Sequence, residues 1–203
     1  MLDILYTSPL SFLFTAVVLI LSISIHEYSH ALAADKLGDY TARNLGRLTI
    51  NPKAHIDPIG GISMLLFGFG WGRPVPFNPF NLKNPRRDSA IIALAGPMSN
   101  LIIALILSLI IHVFSIGAVL NGFIYIAVFY NLLLAFFNLL PFGPLDGFKI
   151  VYGFLPNSLA VQWGEIEKYG LYILLFLLVT GSTGKLITPL ISFSLNILGL
   201  PRY

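Results

Sequence analysis

Between Asp3 and His26 the chain has no charged residue, and Ser8 to Ile25 is an almost unbroken apolar run. A membrane span needs about 20 mainly apolar residues, so this run predicts one transmembrane helix. It has no Lys/Arg-rich start and no small-residue cleavage site after it, and it reads as a retained helix rather than a leader. From Ser89 to Leu145 there is again no Asp, Glu, Lys or Arg, a stretch long enough for two spans. Ser115-Ile116-Gly117 and Asn121-Gly122 are turn formers between them, which predicts helices over about 88–114 and 120–140. A fourth helix is predicted over about 165–179, ended by Gly181-Ser182-Thr183-Gly184. The last apolar run, Leu186 to Leu200, is short, contains Pro189 and supplies a fifth. The fold class is thus mainly α: a polytopic membrane protein with about five transmembrane helices, four at the least and six at the most.

Residues 37–87 break this pattern. With Lys36 at its edge, the segment holds eight of the twelve basic residues and most of the Pro and Gly punctuation. Ala42 to Ile50 alternates roughly and is expected to form a short strand. Ile62 to Phe69 is apolar but too short to span, and is expected to be a re-entrant segment or a strand at the membrane surface. The positive-inside rule puts the basic segment in the cytoplasm. The first span then runs from outside to inside, the turn near Gly117 lies outside, and the chain is inside again after Leu140. Five spans return Arg202 to the inner side as well.

Composition narrows the class further. The chain of 203 residues is 56% hydrophobic and 10% charged. Soluble domains carry about 25% charged residues, so a water-soluble globule, a disordered chain and a coiled coil are all excluded. A net charge of +3, scattered along the chain, gives no argument for nucleic acid. There is no cysteine, hence no disulfide frame, thiol nucleophile or thiolate metal ligand.

Chemistry enters at the inner end of the first span, as His26-Glu27-Tyr28-Ser29-His30. On a helix, residues i and i+4 stack on one face. Two imidazoles so placed can hold one zinc ion, and the intervening Glu27 can reach a water beside it. Two satisfied core histidines are the plain alternative. Two His and one Glu inside an apolar helix are costly without partners or a task, which favours the functional reading. Catalytic zinc takes three protein ligands and a water. His55, His112 and Asp146 are the candidates for the third, with His112 on the outer side. Asp146 ends the long uncharged stretch at the inner end of the third span, so it meets His26 and His30 on one side of the bilayer. The charge count alone sets that orientation. Counting helix rise puts His26 about 13 Å inside Asp35, within the membrane but near its inner face.

Four features resemble the site-2 protease family of intramembrane zinc metalloproteases. They are His26-Glu27-x-x-His30; the loop pieces Asn51 to Pro58 and Gly70 to Pro79; Ala95-Gly96-Pro97-Met98-Ser99-Asn100; and Asn138 through Leu145-Asp146-Gly147. The resemblance implies that His26, His30 and Asp146 bind one zinc ion and that Glu27 is catalytic. It implies hydrolysis of a peptide bond in another membrane-spanning protein within the lipid bilayer, and a multi-pass cell-membrane location. The chain resembles a minimal form, without PDZ or CBS domains: one domain over 1–203, with a catalytic core at about 8–150 and C-terminal helices at about 158–203. Substrate peptide would pair with a strand edge in Ala42–Ile50 or Ile62–Phe69.

Three further groups have two readings each. Asn100 contacts substrate or orders the site, or else bonds between helices beside the small residues Ala95, Gly96 and Ser99. Asn138 orients the metal site or an oxyanion, or caps the third helix. His55 with Asp57 supports a substrate gate, or forms a structural turn with Pro58. Trp71, Tyr125 and Tyr130 read as packing or interface aromatics. Two rival functions are a non-catalytic zinc-binding scaffold, which has no use for Glu27, and a metal transporter, for which the second and third spans offer almost no polar path.

Overall fold

The computed structural model describes residues 2–67, 70–114 and 117–201. The chain runs through α1 (Leu2–Thr7), α2 (Pro9–Lys36), α3 (Thr41–Asn44), α4 (Pro52–His55) and α5 (Pro58–Phe67), then a 3-10 turn at Pro79–Asn81. It continues through α6 (Pro85–Val113), α7 (Ala118–Asn138), α8 (Asp146–Phe154), α9 (Asn157–Ile166), a 3-10 turn at Glu167–Tyr169, α10 (Gly170–Val179) and α11 (Ser182–Ile197). Among the described residues three helices, α2, α6 and α7, are long and apolar enough to cross a membrane. The uncharged runs therefore mark the first three spans, within a few residues at most ends. The exception is the C-terminal end of α2, which continues past the apolar run to Lys36.

The expected five spans reduce to three, or four if one bent pair counts as one. Residues Asn157–Val179 and Ser182–Ile197 meet at an angle of 79°. Gly181, at φ +68°, sits in the left-handed region at the break, where glycine carries no Cβ penalty. The last described residues then lie against the C-terminal half of α6 and the N-terminal half of α7. Ser108 Oγ donates to Leu198 O at 3.1 Å, Tyr125 OH donates to Pro201 O at 2.9 Å, and Gly199 lies beside the His112 ring. Leu198 to Pro201 thus stand at the end of α6 opposite the His26 end, and the expectation of an inner-side Arg202 falls on a residue outside the described set. Residues 115, 116 and 202 themselves lie outside the described set.

The strands expected in the basic segment are not found among the described residues. Ala42 belongs to α3, a single turn, and the chain beyond it to Ile50 is irregular. Residues 62–67 belong to α5, whose ten residues are too few to span. Residues 68 and 69 lie outside the described set. One isolated antiparallel bridge, Ile56 with Gly72, is the sole β feature among the described residues. In 42–50 the alternation is broken by α3 and by Gly46, which sits at φ +68° just after it. At 62–67 the helix is opened by Pro58, which fits its first turn.

Burial is inverted relative to a soluble bundle. Leu10, Leu13, Val17 and Leu21 of α2, and Ile102, Leu105, Ile106 and Leu109 of α6, are exposed. The groups turned inward include Thr15, Ser22, His26, His30, Asn100, Ser108 and Asn131. Such a distribution suits lipid outside and polar partners inside. Ala31 and Ala34 on α2 and Ala90, Ala93 and Gly96 on α6 are buried, and their small size lets the two backbones approach. A larger apolar cluster, including Ala104, Val128, Leu132, Leu174, Ile187 and Ile191, joins α6 and α7 to α10 and α11.

Asp39 ties the C-terminal end of α2 to the turn that precedes α6. It accepts hydrogen bonds from Thr41 N and Oγ1, from Asn78 N at 2.7 Å and from Asn81 Nδ2 at 2.7 Å. Burial alone would raise its pKa, but these donors outweigh burial and hold the carboxyl below its ordinary value. A depressed folded-state pKa gives stability that is complete above the unfolded value of about 3.9 and vanishes as pH falls through the folded value. Asp39→Ala is expected to cost about 2–4 kcal/mol, because it strands several donors. Thermal unfolding in detergent at neutral pH checks this, and an unchanged midpoint would refute the tie.

Candidate metal centre and active site

α2 and α6 pack antiparallel, so residues near the end of α2 face the first half of α6. His30 Nδ1–H donates to Ile92 O at 2.7 Å, and His26 Nδ1–H donates to Asn100 Oδ1 at 2.7 Å. Each imidazole therefore turns its Nε2 lone pair inward. The two Nε2 atoms lie 3.0 Å apart. Asp146 Oδ2 lies 3.1 Å from His26 Nε2 and 3.2 Å from His30 Nε2.

Asp146 reaches this point because α7 ends at Asn138 and the chain turns back through Pro141 and Pro144 into α8. Gly147 makes the turn possible: the carbonyls of Leu139 and Leu140 occupy the place where a Cβ would sit. Gly153 packs on Ala90 in the same way, which seats α8 against α6.

Two imine nitrogens and a carboxylate oxygen thus converge with no hydrogen between them. Such an arrangement is repulsive unless a cation lies among the three. Two His and one carboxylate form a donor set for catalytic zinc, with one position left open. Ligand atoms on a tetrahedron with bonds of about 2.0–2.1 Å are about 3.3–3.4 Å apart, close to the three distances here. The residues present fit a zinc ion. Gly96 clears the space, since a methyl carbon there would lie 2.5 Å from His30 Cε1 and 2.6 Å from His26 Nε2.

Glu27 follows His26 by about 100° around α2. Its Oε2 accepts the N–H of Val75 at 3.0 Å. Gly72, on the same extended segment, comes close to Glu27 Oε1, His55 O and Ile23. Arg47 holds this segment with Nη2, which donates to Arg73 O at 2.6 Å and Pro74 O at 3.3 Å. Arg47 is buried, and burial lowers its pKa while the Glu27 charge acts the other way. A cation thus stands on the Glu27 side of the site.

Among the three two-sided residues, Asn100 touches the metal cluster directly. His55 is fully buried; its Nε2–H donates to Thr49 O at 2.6 Å and its own carbonyl accepts Arg73 N at 2.7 Å. It braces the segment over Glu27. Asn138 donates to Leu134 O of its own helix at 3.0 Å, away from the cluster. His112 donates to Ser108 O. It lies twelve residues beyond Asn100 on α6, about 18 Å along the helix. The sequence reading missed Arg47, the Val75 N–H and Asn131. A lone amide in an uncharged span was the available signal for Asn131.

The model of peptidase family M50 matches residues 14–122 and 116–181. The chain belongs to peptidase family M50. It is 39% identical over 194 residues to "Putative zinc metalloprotease YwhC" of Bacillus subtilis, covering 91% of this chain and 89% of that one. It is 27% identical over 206 residues to "Putative zinc metalloprotease Rip2" of Mycolicibacterium smegmatis, covering 96% and 79% respectively. "Zinc metalloprotease MJ0392" of Methanocaldococcus jannaschii is 29% identical over 170 residues, 79% of this chain and 41% of its own length. No solved structure matches the chain. The M50 match agrees with the resemblance carried by the His26–His30 and Asp146 motifs.

Gly96→Ala is expected to weaken zinc binding by at least about tenfold while leaving the helices intact, since a methyl would displace both rings. Metal content of the purified variant, beside its circular dichroism, checks this. Full zinc occupancy would mean that α6 does not approach the rings so closely.

Proposed function

We propose that this zinc metalloprotease hydrolyses peptide bonds within or near the transmembrane helices of other membrane proteins. The observation that carries the reading is the meeting of His26 and His30, on the same turns of α2 as Glu27, with Asp146 at the start of α8. Zinc bound there supplies a Lewis acid and lowers the pKa of a water to about 7. His26, His30 and Asp146 hold the ion. Glu27 takes a proton from the attacking water as its oxygen adds to the scissile carbonyl carbon. The same carboxyl then hands that proton to the leaving amine nitrogen as the C–N bond breaks. The products are a carboxylate and an amine.

Glu27 keeps Oε1 for this exchange, because Val75 N–H occupies Oε2. The Val75 contact also supports a site that accepts extended main chain beside the carboxylate. A substrate helix has its amides bonded internally, so cleavage requires local unwinding. The density of basic residues in 36–87 favours an active site near the cytoplasmic face of the cell membrane.

The test is cleavage of a single-span substrate by purified protein in detergent, with zinc measured on each variant. Glu27→Gln is expected to lose about 10²–10⁴-fold in rate and to keep its zinc. Asp146→Ala is expected to lose both zinc and cleavage. Equal cleavage by wild type and Glu27→Gln would overturn the role of Glu27. Full zinc in Asp146→Ala would overturn the third ligand.

A further inference from the structure

Asn131 lies on α7, buried, and touches none of the three proposed zinc ligands. Its contacts nonetheless form a chain that ends on one of them. Asn131 Nδ2 donates to Ala127 O at 2.8 Å. A backbone carbonyl can only accept, so the amide nitrogen of Asn131 must face it. Asn131 Oδ1 is then turned to Asn100 and accepts its Nδ2–H at 2.9 Å. That leaves Asn100 Oδ1 facing His26, 2.7 Å from Nδ1. An oxygen there requires the His26 proton on Nδ1, which frees Nε2 as a metal ligand. Each step permits one orientation, and the first is set by the backbone of α7.

We propose that Asn131 is a positioning residue that raises the zinc affinity of the site by holding Asn100, and through it the metal-binding tautomer of His26. This rests on the reading of His26, His30 and Asp146 as the zinc ligands. Without the Asn131 oxygen, Asn100 keeps only a long contact, 3.4 Å, from Nδ2 to Ser22 O. Its amide then turns over easily and presents N–H to His26 Nδ1. That orientation favours the imidazole with its proton on Nε2, where the metal must bind. His30 has no such weakness, because its Nδ1 partner is the carbonyl of Ile92, which has one orientation. The two histidines of the motif are therefore held by different means, and only one of them depends on α7.

The test is zinc affinity by chelator competition on protein purified in detergent, with cleavage kinetics read beside it. Asn131→Leu removes the acceptor at similar volume and is expected to weaken zinc binding about tenfold, the lower end for groups that orient a metal-bound histidine. Asn131→Ala makes the same test should the leucine variant fail to fold. Asn131→Asp, neutral in this apolar setting, offers the same oxygen to Asn100 and an O–H to Ala127 O. It is expected to bind zinc within about threefold of wild type, where a merely structural role gives no reason for rescue. In an Asn100→Leu background, Asn131→Leu is expected to have no further effect, since coupled residues are not additive. Wild-type affinity in the folded leucine or alanine variant, failure of aspartate to rescue, or additivity in the double variant would each overturn the inference. A wild-type protein that binds zinc yet cuts nothing would sink the protease reading and leave this one standing.

Discussion

The rest of the molecule is arranged around three lone-pair donors, His26 Nε2, His30 Nε2 and Asp146 Oδ2, brought within about 3 Å of one another between apolar helices. Groups of this kind are expensive to remove from water, and more so when they repel each other. A cation at their centre turns that cost into binding energy. The packing follows from this demand. α2 and α6 must approach closely enough for Asn100 and Ile92 to take the outer nitrogens of the two rings, which is why small residues line their contact. α8 must start at Asp146, which is why Gly147 follows it.

The Glu27 half of the site is built differently. Glu27 shares a helix with the histidines, but its partners come from the loop region after α2. Val75 N–H, the buried Arg47 and the His55–Arg73 contact hold an extended segment against it. The two histidines thus stand on a long helix and Asp146 at the start of a short one packed against α6, whereas Glu27 is approached by main chain from a region of short elements. Such a division suits an enzyme that must keep a metal fixed while admitting a polypeptide to the residue beside it.

How much of this was legible depends on the kind of signal. Charge-free runs locate α2, α6 and α7, because a bilayer leaves little freedom in what may cross it. The His26–His30 spacing and the position of Asp146 at the end of such a run place both at one end of the bundle. The stretches 42–50 and 62–67 were misread as strand because short apolar or alternating runs carry no length to separate strand from helix. The turn at Gly46 breaks the first, and Pro58 opens a helix that takes in the second. The C-terminal helices were miscounted because the break at Gly181 joins two pieces that composition alone treats as separate spans. Asn131 had no spacing to announce it. Its link to the site, Asn100, comes from α6, and nothing along the chain points from one to the other.

The fixing of the two imidazoles by protein oxygens has a bearing on the order of assembly. In small zinc domains the ligands are disordered until the ion arrives, and metal uptake and folding are one event. Here the ring orientations of His26 and His30 are set by Ile92 and Asn100, groups that belong to the helix packing itself. Helix packing can therefore orient both rings before an ion arrives, which leaves the ion to draw in Asp146 and relieve the repulsion among the three donors.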